Sequence, residues 1–208
     1  NFIKLGGKLK KILITGATGF IGKALVLELI QKSFDILIVV RQKTNLFPDK
    51  VIQFVVGDFE NNPDFSASLA GADCVIHLAG KAHVINKVKV PVLDEFRKIN
   101  TALTLNLANQ AVIAKVERFI FLSSIGVNGN QNNQPFLEID IPNPQEPYAI
   151  SKYEAEQGLL KLAQNSSLEV VIIRPPLVYG NNAPGNFGRL IQWVNSKFIL
   201  PLPLGAVN

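Results

Sequence analysis

The sequence predicts an α/β fold with a doubly wound parallel sheet, and three observations lead to this prediction. Short runs of mainly aliphatic residues alternate with longer segments whose apolar residues recur at helical spacing. The runs are apolar at nearly every position, which is typical of parallel strands covered on both faces. Glycines follow the first run, where a helical pattern begins. Right-handed crossovers between such strands give a Rossmann-type sheet.

Six strands and three long helices are predicted. The strands are expected at residues 11–15, 36–40, 51–56, 74–78, 118–122 and 170–173. The helices are expected at residues 20–32, 93–114 and 148–164. Residues 128–147 are rich in Asn, Gln and Pro, and such a long connection predicts a functional loop.

A chain of 208 residues is long enough for one substantial core. We expect residues 1–180 to form the nucleotide-binding domain and residues 181–208 to begin a substrate-binding region. The smaller C-terminal substrate lobe is expected to be largely absent from this chain.

Composition favours a globular protein of the cytoplasm. A hydrophobic content of 48% with 18% charged residues argues against disorder. No apolar run approaches the roughly 18–20 residues of a membrane helix, and the first residues lack the apolar core of a signal peptide. The single cysteine, Cys74, is consistent with a reducing compartment.

A net charge of +5 raises the question of a polyanionic partner. Lys and Arg are scattered, whereas a nucleic-acid binder more often has a dense basic stripe with exposed aromatic residues. A dinucleotide or a nucleotide sugar is also an anion and suits the same charge. We therefore expect neither a nucleic acid nor a membrane as partner.

The turn after the first strand reads Thr-Gly-Ala-Thr-Gly-Phe-Ile-Gly. Gly16 allows a tight turn, Gly19 lets the backbone approach a pyrophosphate, and Gly22 lets the helix pack closely on the strand. The helix start, with Phe20 and Ile21, offers backbone N–H groups and a dipole to the phosphates. The turn therefore predicts a dinucleotide-binding site.

Arg41 follows the second strand, where NAD enzymes usually place Asp or Glu against the ribose 2′-hydroxyl. A guanidinium at this position would pair with a 2′-phosphate. The sequence therefore favours NADP(H) over NAD(H), although Arg41 could also be a surface residue.

Tyr148 and Lys152 are four residues apart and share one face of a predicted helix. A nearby ammonium is expected to stabilise the phenolate and to lower the pKa of Tyr148, which would make the phenol a general acid/base. Ser124, at the end of the fifth strand, could orient the same substrate oxygen. These side chains predict catalysis on a hydroxyl or carbonyl group.

A series of motifs follows one order along the chain: the glycine turn, Gly57-Asp58, His77-Leu78-Ala79-Gly80, Asn100, Ser123-Ser124, Tyr148-x-x-x-Lys152 and Arg174-Pro175. This order resembles the extended short-chain dehydrogenase/reductases, and more narrowly the NAD-dependent epimerase/dehydratase family, which includes UDP-glucose 4-epimerase. Residues 148–180 are also similar to bacterial enzymes that complete UDP-linked deoxy-amino sugars.

The resemblance implies roles for further residues. Asp58 and Phe59 would contact the adenine. Asn100 would hold a helix bend and a water near Lys152, which would also bind the nicotinamide ribose. Asn186 would be the first residue along the chain that binds the nucleotide diphosphate of the substrate. The residues that would lie against the cofactor are Leu78, Ala79, Gly80, Lys81, Pro175 and Val178. Homodimers through the helices 93–114 and 148–164 are frequent in the family.

The reaction that the resemblance implies is hydride transfer at C4 of a nucleotide sugar, UDP-linked by analogy, in a 4-epimerase or a 4-keto reductase. A 4,6-dehydratase is disfavoured because its usual Asp-Glu pair is replaced by Ile125 and Gly126. A reductase of non-sugar ketones remains open. A non-catalytic dinucleotide sensor usually loses the Tyr or Lys that this chain retains.

Two histidines raise the possibility of a metal or acid/base site. His77 lies in a strand and is expected to be a packed residue, and neither His77 nor His83 has partners at metal-site spacing. We predict no metal.

Overall fold

A six-stranded parallel sheet is the framework of the computed structural model, which describes residues 11–82, 92–180, 183, 188, 191, 193 and 194. The strands are β1 Lys11–Thr15, β2 Asp35–Val40, β3 Ile52–Val55, β4 Cys74–His77, β5 Arg118–Leu122 and β6 Glu169–Ile173. Their spatial order is β3-β2-β1-β4-β5-β6, and every neighbouring pair is parallel. The chain order reverses between β1 and β4, where doubly wound sheets bind ligands. The predicted fold class is confirmed.

Helices connect these strands. They are α1 Phe20–Gln31, α2 Ser66–Leu69, α3 Val92–Phe96, α4 Leu103–Ile113 and α5 Pro147–Gln164. A π-helical turn, Arg97–Ala102, joins α3 to α4 within the predicted long helix 93–114, where the resemblance implied a bend at Asn100. A short 3-10 turn, Ile125–Val127, follows β5. Pro147 begins α5 at a position where its missing N–H costs nothing.

Two apolar clusters cover the two faces of the sheet, and alternate residues of β1, β2, β4 and β5 belong to different clusters. On one face Leu13 packs with Phe119, Phe121 and the helices α4 and α5. On the other face Ile12 and Ile14 pack with α1. This double burial explains the nearly continuous apolar strands in the sequence.

Residues Leu177–Asn208 form a second compact unit, whereas Asn1–Pro176 form the first. In the second unit the amide of Ala183 donates to the carbonyl oxygen of Gly180 at 3.1 Å. Gly188, Ile191, Trp193 and Val194 are helical. The domain boundary at residue 180 stays a prediction. Within the described ranges, no helix is both long and apolar enough for a membrane span.

Candidate active site

A cleft of about 450 Å³ opens at the carboxyl ends of the strands, beside the reversal of chain order. Many of the residues predicted to bind the cofactor line it: Gly16, Gly19, Arg41, Asp58, Phe59, Leu78, Ala79, Gly80 and Lys81. The sequence reasoning missed other lining residues, which are Thr18, Val39, Val40, Glu60 and Ile99. Thr18, Val40, Glu60 and Ile99 adjoin predicted residues in the sequence, and Val39 is two residues from Arg41.

The glycine turn owes its shape to backbone contacts. Gly16 has a φ of +71°, and a Cβ there would lie 2.6 Å from the amide nitrogen of Ala79. A Cβ on Gly22 would lie 2.2 Å from the carbonyl oxygen of Gly16. Gly22 is therefore buried beneath the turn and supports it, while Gly19 lines the cleft itself. Phe20 and Ile21 form the first turn of α1.

The rim of the cleft carries charges of both signs. Arg41 follows β2 and is exposed, and Glu60, also exposed, lines the same cleft. The Asp58 carboxylate accepts hydrogen bonds from the Glu60 amide at 3.0 Å and from the Asn61 side chain at 2.9 Å. Asp58 thus holds a turn and also lines the cleft.

Asn100 is fully buried in the π-helical turn and links three parts of the site. Its Oδ1 accepts from the Lys81 amide at 2.8 Å, and its Nδ2 donates to the Lys81 carbonyl oxygen at 3.0 Å. The same Nδ2 donates to Ser151 Oγ of α5 at 3.0 Å. Lys81 Nζ pairs with Glu95 at 2.9 Å. Asn100 therefore fastens the cleft wall after β4 to α5.

Lys152 is almost completely buried, and its Nζ donates to the Leu122 carbonyl oxygen at 2.9 Å. The ammonium lies 4.6 Å from the centre of the Phe121 ring. A Cβ on Gly80 would lie 3.2 Å from this Nζ, so the missing side chain leaves room for the lysine at the cleft wall. Burial lowers the pKa of Lys152 to about 8, although Glu156 acts in the opposite direction.

The pKa of Tyr148 differs from the expectation. Burial raises the pKa of its phenol, whereas the sequence predicted that Lys152 would lower it. The physical reason is that the Lys152 ammonium is directed at Leu122 and Phe121, while the Tyr148 ring packs edge-on against Phe96 at 5.8 Å. In this arrangement burial of the phenol is the cause of the raised pKa.

Ser124 sits between β5 and the 3-10 turn in extended backbone, with φ −153° and ψ 145°. Its Oγ accepts from the Gly126 amide at 3.2 Å. The adjoining residues are tied to the chain after β6, because Ser123 donates to the Ile173 carbonyl oxygen at 2.7 Å and Ile125 donates to that of Pro175 at 3.0 Å. Pro175 thus borders the strand end that carries Ser124.

His77 is fully buried, as expected for a packed residue. Its Nδ1 lies 2.6 Å from Thr15 Oγ1 and its Nε2 lies 2.9 Å from Thr104 Oγ1. Burial, with a smaller effect of Lys152, lowers the pKa of His77 to about 3. His77 therefore joins β1, β4 and α4 in its neutral form.

The buried His77 predicts a loss of stability in acid. In the unfolded chain its pKa returns to the ordinary value of 6.5, but the folded protein keeps it neutral down to about pH 3. Between these values the unfolded state binds the extra proton, so the free energy of unfolding falls as the pH falls. The free energy of unfolding should be measured with urea at a pH above 6.5 and at a pH between 3 and 6.5. The decrease from the higher to the lower pH should be larger for wild type than for His77→Gln. Equal losses would contradict this account.

Some predicted residues lie elsewhere. Val178 belongs to the second compact unit, and its role beside the nicotinamide stays a prediction. Asn186 and His83 lie outside the described residues. Among the residues that the structure describes, no three His, Cys, Asp or Glu side chains come together as a metal site.

Comparison with known proteins gives a match to one family model over residues 12–202, described as the NAD dependent epimerase/dehydratase family. UDP-glucose 4-epimerase from Vibrio cholerae is 43% identical over 202 residues, which cover 96% of this chain. The aligned part is 60% of that relative, so the chain spans well under two thirds of its length.

Two solved structures resemble the chain closely. MoeE5 in complex with UDP-glucose and NAD has a TM-score of 0.78 and 29% identity, covering 90% of this chain and 62% of its own. UDP-glucuronic acid 4-epimerase from Bacillus cereus, in complex with NAD, has a TM-score of 0.77 and 26% identity, covering 89% of this chain and 63% of its own.

Proposed function

Because the chain belongs to the NAD-dependent epimerase/dehydratase family, we propose that the protein interconverts the C4 epimers of a UDP-linked sugar. The observation that carries the proposal is the high identity to the Vibrio cholerae UDP-glucose 4-epimerase across nearly the whole chain. The complexes of the structural relatives, with UDP-glucose and with NAD, support the same substrate and cofactor classes.

The cleft fits a dinucleotide in shape and in chemistry. Its volume of about 450 Å³ falls within the usual range for cofactor sites. The backbone of Gly19 borders it without a side chain, and α1 begins there with its unpaired N–H groups. Asp58 and Phe59 would hold the adenosine end, and Gly80, Lys81 and Lys152 the nicotinamide end.

In the proposed reaction a nicotinamide bound in the cleft would supply the hydride acceptor and donor for sugar C4. Tyr148 takes the proton of the 4-hydroxyl as the carbon is oxidised, and it gives the proton back when the carbonyl is reduced on its other face. Ser124 hydrogen-bonds the same oxygen and holds it near Tyr148. Asn100 fixes Lys81 and α5, and the positive charge of Lys152, one helical turn from Tyr148, would favour the phenolate.

The choice between NAD(H) and NADP(H) depends on the rim charges. Arg41 favours a 2′-phosphate, whereas the structural relatives were solved with NAD. If Arg41 binds that phosphate, Arg41→Ala should weaken NADP(H) binding by roughly 10- to 100-fold, the usual effect of a lost charge-assisted hydrogen bond, and should leave NAD(H) unchanged. Fluorescence titration of both cofactors measures this. Equal changes for both would assign Arg41 to the surface alone.

A 4-keto reductase is the second candidate. Arg41 is the observation that favours it, because Arg41 would suit the 2′-phosphate of NADPH and reductases that transfer one hydride to the substrate often use NADPH. The two reactions are separated by incubating full-length protein with UDP-hexoses and NAD⁺, and with UDP-4-keto sugars and NADPH. An epimer seen by NMR supports the epimerase, and loss of NADPH absorbance supports the reductase. Cofactor binding with neither reaction would indicate a sensor. The homodimer, the cytoplasmic location and the absence of nucleic-acid binding stay predictions.

A further inference from the structure

A largely buried ion pair contacts the residue beside Ser124 and lies one helical turn from Lys152. Glu156 of α5 is fully buried, and Arg174, which follows β6, is half-buried. Arg174 Nη2 donates to Glu156 Oε2 at 2.6 Å, and its Nε donates to Oε1 at 3.0 Å. This two-point contact fixes the direction of both side chains. It was not foreseen in the sequence.

The ion pair also holds the end of β5. The Ser123 hydroxyl donates a short hydrogen bond to Glu156 Oε1. Arg174 Nη1 donates to Asn128 Oδ1 at 3.1 Å, which ties down the chain on the other side of Ser124. The chain on both sides of Ser124 is therefore held by the ion pair, at Ser123 by Glu156 and at Asn128 by Arg174.

Two successive turns of helix α5 form hydrogen bonds with the end of β5. Lys152 donates to the carbonyl oxygen of Leu122, and Glu156, one turn later, accepts from the side chain of Ser123. Lys152 and Glu156 are one helical turn apart, and they contact two consecutive residues, Leu122 and Ser123, at the end of the strand. The position of Lys152 and the position of Ser124 are therefore set by the same contact between α5 and β5.

We propose that Glu156, paired with Arg174, is a positioning residue that sets Ser124 and Lys152 in register for the reaction. This inference rests on the proposed C4 chemistry for its kinetic consequence, but not for its structural one. Stability alone does not account for the pair, because buried ion pairs are often no more stabilising than well-packed apolar residues.

The charge of Glu156 also acts on Lys152. Glu156 raises the pKa of Lys152 and so opposes the effect of burial. The other titratable groups beside Lys152 are Tyr148 on the same helix and His77 of β4, which stays neutral at working pH. Arg174, after β6, is the cation facing Glu156. Removing the carboxylate should therefore lower the pKa of Lys152 below about 8.

The test compares Glu156→Gln with Glu154→Gln in the full-length protein. Glu154 lies on the same helix but pairs with Arg97 at the surface, so it is a matched control. Glu156→Gln should lower kcat by about 10- to 100-fold with little change in KM, because the reacting groups are displaced rather than removed. NMR titration of labelled lysine should show a lower pKa for Lys152. Glu154→Gln should change neither quantity.

If Glu156→Gln does not fold because Arg174 loses its counter-charge, the double variant Glu156→Gln/Arg174→Gln leaves no unpaired ion. It should fold and show the same two effects. Wild-type kcat and an unchanged Lys152 titration in a folded variant would overturn the positioning role. Should wild type itself lack C4 activity, the proposed function fails, and the Lys152 titration still decides the role of Glu156.

Discussion

Replacing Tyr148 by Phe is expected to lower kcat by about 10²- to 10⁴-fold, the usual contribution of a general acid/base. The substitution removes one oxygen and keeps the ring, which packs against Phe96. Cofactor affinity should therefore stay nearly the same, as titration with NAD(H) would measure. The effect should fall on kcat more than on KM, because the proton moves in the transition state.

Tyr153→Phe is the matched control, since it removes a phenol from the same helix, α5. It should keep nearly full activity. A Tyr148→Phe protein with more than about a tenth of wild-type activity would assign the proton transfer to another group.

Replacing Gly22 by Ala is expected to have the largest effect on the cofactor cleft itself. The new methyl group would lie 2.2 Å from the Gly16 carbonyl oxygen and 2.7 Å from the Ala17 Cα, and both are backbone atoms. The turn must move, so the free energy of unfolding should fall by about 1–3 kcal/mol, the usual cost of overpacking. NAD(H) affinity should fall with it. Chemical denaturation and cofactor titration measure the two effects.

Gly158→Ala provides the comparison, because Gly158 is also a helix-interior glycine. Its added methyl would meet only the end of the flexible Leu105 side chain. The variant gains up to about 1 kcal/mol of helix propensity, so we expect little net change in stability. A harmless Gly22→Ala would contradict the proposed support of the turn.

Much of the fold could be predicted because its central strands β1, β2 and β4 are buried along almost their whole length. The strands β1 and β5 have the bounds predicted from the sequence. The local pattern predicted one long helix, 93–114, and only the family resemblance implied its bend at Asn100. The π-helical turn there accompanies the contacts of Asn100 with Lys81 and Ser151. Those partners are distant in sequence, and no local pattern indicates them.

Some residues of the candidate site could likewise be predicted from the local sequence, and others could not. Gly16 and Arg41 could be identified because each directly follows a strand, and Gly19 because it belongs to the same glycine turn as Gly16. Arg174 was noticed only as part of the Arg174-Pro175 motif, and Glu156 looks like an ordinary polar residue of a helix; only the tertiary structure shows that the two form an ion pair. The direction of the Tyr148 pKa was missed because burial depends on tertiary packing.

The central claim is that the cleft holds a nicotinamide against Tyr148 and that hydrogen leaves and returns at sugar C4. Full-length protein should be incubated with NAD⁺ and UDP-hexoses that carry deuterium at C4, and the products followed by NMR. We predict that the C4 epimer forms and keeps its deuterium at C4, because the same hydrogen is returned to that carbon. Unchanged sugars, or an epimer that has exchanged its C4 deuterium for solvent hydrogen, would contradict the account.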